Sequence, residues 1–138
     1  MLSAHNRKLF DELRALNLPP DQFVVFGSGP MGIRGLKEIG DIDLLVTEKL
    51  WKELLKTHES KDRREIKLSP HVDAIMIWFP GEWDVDDLIA EADVIDGIRF
   101  VKLKWVHAWK SLRMAPKDEK DLKVLEAYFQ GQKSEPQQ

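Results

Sequence analysis

The chain has 138 residues, 43% of them hydrophobic and 33% charged, which is the size and composition of one domain with its own core and excludes a large multidomain enzyme. Its 21 Lys and Arg against 24 Asp and Glu leave a formal net charge of −3, so no overall cationic field draws nucleic acid and any such contact must be local. With no cysteine and no run approaching the ~20 apolar residues of a membrane helix, thiol chemistry, disulfides and a helical membrane span are excluded. A soluble, cytoplasmic protein is expected.

Leu9, Phe10, Leu13 and Leu16 recur at helical spacing and predict an opening amphipathic helix over 4–16, stopped by Pro19-Pro20. Phe23-Val24-Val25-Phe26 is a continuous apolar run, as in a strand covered on both faces. Gly27 to Gly32 is a glycine-rich turn that leads into a short helix reaching Glu38. Asp41 to Val46 reads as a second strand, and Thr47 as the N-cap of a helix over 48–56. Two strands follow, Glu65 to Leu68 and Val72 to Phe79, joined through Ser69-Pro70-His71. After a short helix over 84–92, Asp96-Gly97 marks a hairpin turn between two strands. A helix is expected from 102 to about 114, Ala115-Pro116 interrupts it, and another runs from 117 to 129 with Leu122, Leu125 and Phe129 inward. One domain over 1–129 and a disordered polar tail over 130–138 are therefore expected.

The chemistry concentrates where strand, Gly27-Ser28, twelve residues and Asp41-Ile42-Asp43-Leu44 succeed one another. Residues i and i+2 of a strand project from one face, so Asp41 and Asp43 stand side by side, roughly 6–7 Å apart along the chain. At ~5 Å and an effective dielectric of ~20 their repulsion is about 3 kcal/mol, which a divalent cation would relieve. Hard Mg²⁺ suits carboxylate, water and phosphate oxygens. Asp73 is a third acid, inside an apolar strand where a lone carboxylate is costly. Should that strand adjoin the first pair, three carboxylates converge, the ligand set for two metal ions in phosphoryl transfer. Gly27, Gly29 and Gly32 permit close backbone approach, and amides beside the Ser28 hydroxyl would hold triphosphate oxygens.

These residues resemble the signature of the DNA polymerase beta-like nucleotidyltransferase superfamily: a hydrophobic strand ending in Gly-Ser, about a dozen residues, acid–hydrophobic–acid–hydrophobic, and a third acid on a later strand. The likeness spans Phe23 to Phe79 and extends loosely over Leu103 to Leu125, where Lys110, Arg113, Lys117-Asp118 and Asp121 are similar to a helical segment of small bacterial members, some of which modify antibiotics. The resemblance implies a mixed α/β (α+β) fold, a sheet flanked by helices with further helices at the C-terminus. It implies that Asp41 and Asp43 bridge two Mg²⁺ ions, with Mn²⁺ as a substitute, while Asp73 binds the catalytic metal and orients or deprotonates an acceptor hydroxyl. NTP is the expected donor, pyrophosphate the leaving group, and RNA, a protein or a small molecule the acceptor. Gly27, Ser28, Arg34 and Lys110 are the expected nucleotide-binding residues.

Each element has a plainer reading. Gly27-Ser28 can be a strand-ending turn, Asp41 and Asp43 a solvated strand edge, and Asp73 a buried acid paired with Arg63, Arg64 or Arg99. Lys117 to Asp121 alternates in charge like an ordinary solvated helix start. The five tryptophans read as core, although Trp78 to Trp83 would also suit a pocket edge. The four histidines lie at unrelated spacings and make no zinc motif. The alternative function is a non-catalytic nucleotide-binding or toxin–antitoxin-type interaction module, and a homodimer or partner protein would complete a chain this short.

Overall fold

The Phe23–Phe26 strand, β1, is buried along its whole length because both faces of the sheet at its centre are covered. Val25 joins a core with Leu9, Phe10 and Leu44 on one face, and Val24 and Phe26 join Leu45, Val106 and Leu125 on the other. The computed structural model describes residues 2–60 and 64–134. Its further strands are β2 (Ile42–Val46), β3 (Glu65–Ser69), β4 (Val72–Ile75), β5 (Asp93–Ile95) and β6 (Ile98–Phe100). They form one mixed sheet in the order β3-β4-β2-β1-β6-β5. The β1·β2, β3·β4 and β5·β6 pairs are antiparallel, and β2·β4 and β1·β6 are parallel.

Helices α1 (Ala4–Ala15), α2 (Gly29–Ile33), α3 (Glu48–Leu55), α4 (Val85–Ala90), α5 (Leu103–Arg113) and α6 (Glu119–Ser134) flank the sheet, giving the mixed α+β architecture. Ser3 and Thr47 cap α1 and α3 by accepting from the amides of Asn6 and Leu50. Asp96 and Gly97, both with positive φ, make the β5–β6 turn. Among the described residues no helix is long and apolar enough to cross a membrane.

Four expectations change. The helix expected to follow the glycine-rich turn and reach Glu38 is instead α2, which begins within that turn and ends at Ile33, just before Gly35 takes left-handed backbone at φ +74°. The strand expected to continue to Phe79 stops at Ile75, because that residue is the last with partners on both sides, Leu45 of β2 and Glu65 of β3. The chain then folds back and buries Trp78 against Phe26, Trp83 and Trp109. The tail is helical through Ser134, since α6 keeps Tyr128 and Phe129 packed on the second core; 135–138 lie outside the described residues. Finally, Pro116–Asp118 forms a 3-10 turn ahead of α6, and Asp118 and Asp121 are buried, so this stretch is no solvated helix start.

Candidate active site

The register of β2 on its neighbours assembles the acids. Asp43 lies opposite Asp73 in the parallel β2·β4 pair and opposite Phe26 in the antiparallel β1·β2 pair. Gly27, immediately after Phe26, therefore stands beside Asp43. It has φ +68°, and a Cβ there would lie 3.4 Å from Asp43 Oδ2. The left-handed conformation favours glycine, and its bare backbone leaves the carboxylate uncovered. At Gly29 a Cβ would fall 2.3 Å from Val25 Cγ1, so α2 packs on β1 only because that side chain is missing. Asp41 precedes β2 and is exposed.

Burial, reinforced by the charges of Asp73, Asp41 and Glu65, pushes the Asp43 carboxyl up from 3.8 to about 6, with Lys67 opposing. Asp73 is only 8% exposed. Its counter-charge is Lys67 Nζ, 3.4 Å from Oδ1, but that oxygen accepts no hydrogen bond. The arginines considered as its partners do not fill this role among the described residues: Arg99 donates to the Pro20 carbonyl, no Arg64–Asp73 ion pair forms, and Arg63 lies outside the described residues.

Gly27, Ser28, Asp41 and Asp43 line a cleft of about 350 Å³ together with Lys37, Glu38, Trp109, Arg113 and Lys117. Carboxylates and cations thus share one concavity large enough for a small ligand. Asn6, buried on α1, fixes the loop bearing Lys37: its amide donates to the Gly32 and Lys37 carbonyls, and its Oδ1 accepts from the Ile39 N–H.

Below the cleft floor is a buried ionic cluster. Lys110, 1% exposed, reaches Asp118 at 3.3 Å and Asp121 at 3.1 Å. Lys37 pairs with Asp121 at 2.6 Å. Arg113 donates to both carboxylate oxygens of Asp118 and lies over the Trp109 ring at 4.0 Å. The Arg113 hydrogen bond, with help from Lys110, holds the Asp118 carboxyl below the usual range. Burial opposes ionisation of Asp121, yet Lys37 and Lys110 bring it below the usual range too. Lys37 and Lys110 also donate to Ser28 Oγ, at 3.5 and 3.3 Å. With two ammonium donors on its oxygen, Ser28 has its single hydroxyl hydrogen left to donate. An acceptor such as phosphate matches that hydrogen.

Not every expected residue enters the cleft. Asp73 adjoins Asp43 without lining it, and Lys110 supports Ser28 from below. Arg34 is engaged elsewhere, with Asp93 at 2.8 Å and the Pro30 carbonyl. Trp109, rather than Trp78, lines the cleft, because Trp78 is sealed in the core. Among the described residues no three His, Cys, Asp or Glu side chains make a ready-made metal cage. That does not conflict with Mg²⁺, which commonly binds through one or two carboxylates plus water and substrate phosphate. The donor set is hard oxygen, the buried Asp73 Oδ1 accepts no hydrogen bond, and the acids around Asp43 outnumber their one opposing cation, Lys67, so the residues present fit a hard cation. Comparison with protein-family models, with curated proteins and with solved structures gave no significant match for this chain.

Proposed function

We propose that the protein is a Mg²⁺-dependent nucleotidyltransferase that moves a nucleoside monophosphate from an NTP to a hydroxyl acceptor. The observation that carries this reading is the register of β2, with Asp43 beside Asp73 and against Gly27, across a cleft from Lys37, Arg113 and Lys117. Asp41 and Asp43 would hold Mg²⁺, with Asp73 adjacent. The bound metal supplies charge neutralisation on the attacking and leaving oxygens.

The chain's own groups do the rest by positioning. The Ser28 hydroxyl donates to a phosphate oxygen, and triphosphate charge is balanced by Lys117 and by the one positive charge by which Lys37, Lys110 and Arg113 exceed their partners Asp118 and Asp121. Asp73 accepts the acceptor's hydroxyl proton. The acceptor oxygen bonds to the α-phosphorus as the bond to the oxygen bridging toward the β-phosphorus breaks, and pyrophosphate leaves with that electron pair.

The test is incubation with each α-labelled NTP, Mg²⁺ or Mn²⁺, and cell extract, following label transfer and pyrophosphate. Asp43→Asn should abolish both, whereas undiminished pyrophosphate release in that variant refutes the proposal. Binding of Mg²⁺-NTP without pyrophosphate release across all acceptors points instead to the non-catalytic module.

A further inference from the structure

A second concavity, of about 480 Å³, opens where β4 ends. Trp51, Ile75, Ile77 and Phe79 wall it, and Arg64 and Glu65 complete the polar part of its lining. Ile77 and Phe79 are 75% and 79% exposed. Two large apolar side chains held in water beside a formed pocket mark a binding surface better than chance exposure does.

Two links join this pocket to the acids. Asp73 and Ile75 are i and i+2 on β4, so they project from the same face of the sheet, roughly 6–7 Å apart. Trp109, which lines the cleft, donates its indole N–H at 2.9 Å to the carbonyl of Phe79, which lines the pocket. The pocket thus begins two residues along β4 from Asp73, whose buried Oδ1 accepts no hydrogen bond although Lys67 Nζ stands 3.4 Å away.

We infer that this pocket takes the acceptor, a small neutral molecule with an apolar, ring-sized body and a hydroxyl that donates to Asp73. This assignment rests on the proposed nucleotidyl transfer. The described lining offers one cation and one anion, which complements neither the phosphates of RNA nor a polyamine. The apolar wall, with an indole and a phenyl ring, suits a planar or branched hydrocarbon body.

The probe is 2-naphthol, followed by its own fluorescence, with Mg²⁺-ATP binding measured in parallel by calorimetry. Saturable binding at one site per chain is expected, weakened at least tenfold by Ile77→Asp or Phe79→Asp, both exposed positions whose substitution spares the core. Mg²⁺-ATP binding should be unchanged in both. Binding that does not saturate, or that these substitutions leave alone, overturns the pocket assignment while the nucleotide reading stands. If Mg²⁺-NTP fails to bind the native protein, the nucleotide reading falls and takes the acceptor role with it. With labelled NTP, label should reach 2-naphthol at least tenfold faster than glycerol, and Phe79→Asp should erase the preference. Equal rates, or no label on either alcohol while Mg²⁺-NTP binds, overturn the acceptor role.

Discussion

Asp43→Asn should separate stability from chemistry. In the native protein burial and three neighbouring acids hold the Asp43 carboxyl at about 6 instead of 3.8. A difference of 2.2 multiplied by ~1.36 kcal/mol gives about 3 kcal/mol as the ceiling on what ionised Asp43 costs the folded state at neutral pH. Partial access to solvent and residual unfolded-state structure bring the measured value to roughly 1–3 kcal/mol. Asparagine removes the charge, keeps the shape and brings an N–H₂ donor next to Asp73. The variant should therefore be more stable than the native chain at pH 7.5 in urea titrations without metal. The sign fixes the pH window. The folded state binds this proton more tightly than the unfolded one, so native stability falls as pH rises from about 4 to about 6, and the advantage of Asn should shrink when both are compared at pH 4.5. Added Mg²⁺ should stabilise the native protein and leave the variant's urea midpoint in place. A variant no more stable than the native chain at pH 7.5, or an advantage equally large at pH 4.5, would refute the electrostatic account of this site.

Other substitutions probe the supports. Lys110→Met leaves Asp118 with Arg113 and Asp121 with Lys37, so the loss should sit near the low end for a broken buried pair, about 3 kcal/mol, read as a fall in denaturation midpoint; an unchanged midpoint contradicts the ionic cluster. Glu12 is held at about 2 instead of 4.5, chiefly by the Ser69 hydroxyl and then by His71. Its lowered value contributes stability present above pH 4.5 and lost as pH falls toward 2, so the deficit of Glu12→Gln should be full at pH 7 and close over that window, and a pH-independent deficit counts against the tether. Gly29→Ala drives a Cβ into Val25 Cγ1 and should cost about 1–3 kcal/mol. Pairing it with Val25→Ala should cost less than the sum of the two changes, and strict additivity would deny the contact.

The parts of this molecule visible in its sequence are those with a local physical cause. The β1 run is apolar throughout because both its faces are covered, the Thr47 cap precedes regular helical spacing, and Asp96-Gly97 needs left-handed backbone. Asp41, Asp43, Gly27 and Ser28 were legible because strand alternation and a strand-ending glycine fix their neighbourhood. What escaped depends on tertiary partners. Lys110, Arg113, Lys117, Asp118 and Asp121 are legible as a motif, but composition makes them a solvated face, and only the packing of α5 and α6 under Ser28 reveals that Lys110, Asp118 and Asp121 are buried. Lys37 carried no signal because its position is set by Asn6, 31 residues upstream. β4 is shorter than its sequence suggests because apolar side chains continue past Ile75 while its backbone partners do not.

The link from Asp121 to Ser28 through Lys37 and Lys110 spans most of the polypeptide. On the ribosome the glycine bend emerges early and its two lysines follow, but the acids that neutralise them arrive only with the last helix. A nascent chain still short of that helix carries the bend without its anchor. A chain cut before α6 would therefore hold Ser28 between two lysines without the Asp121 carboxylate that pairs with both of them.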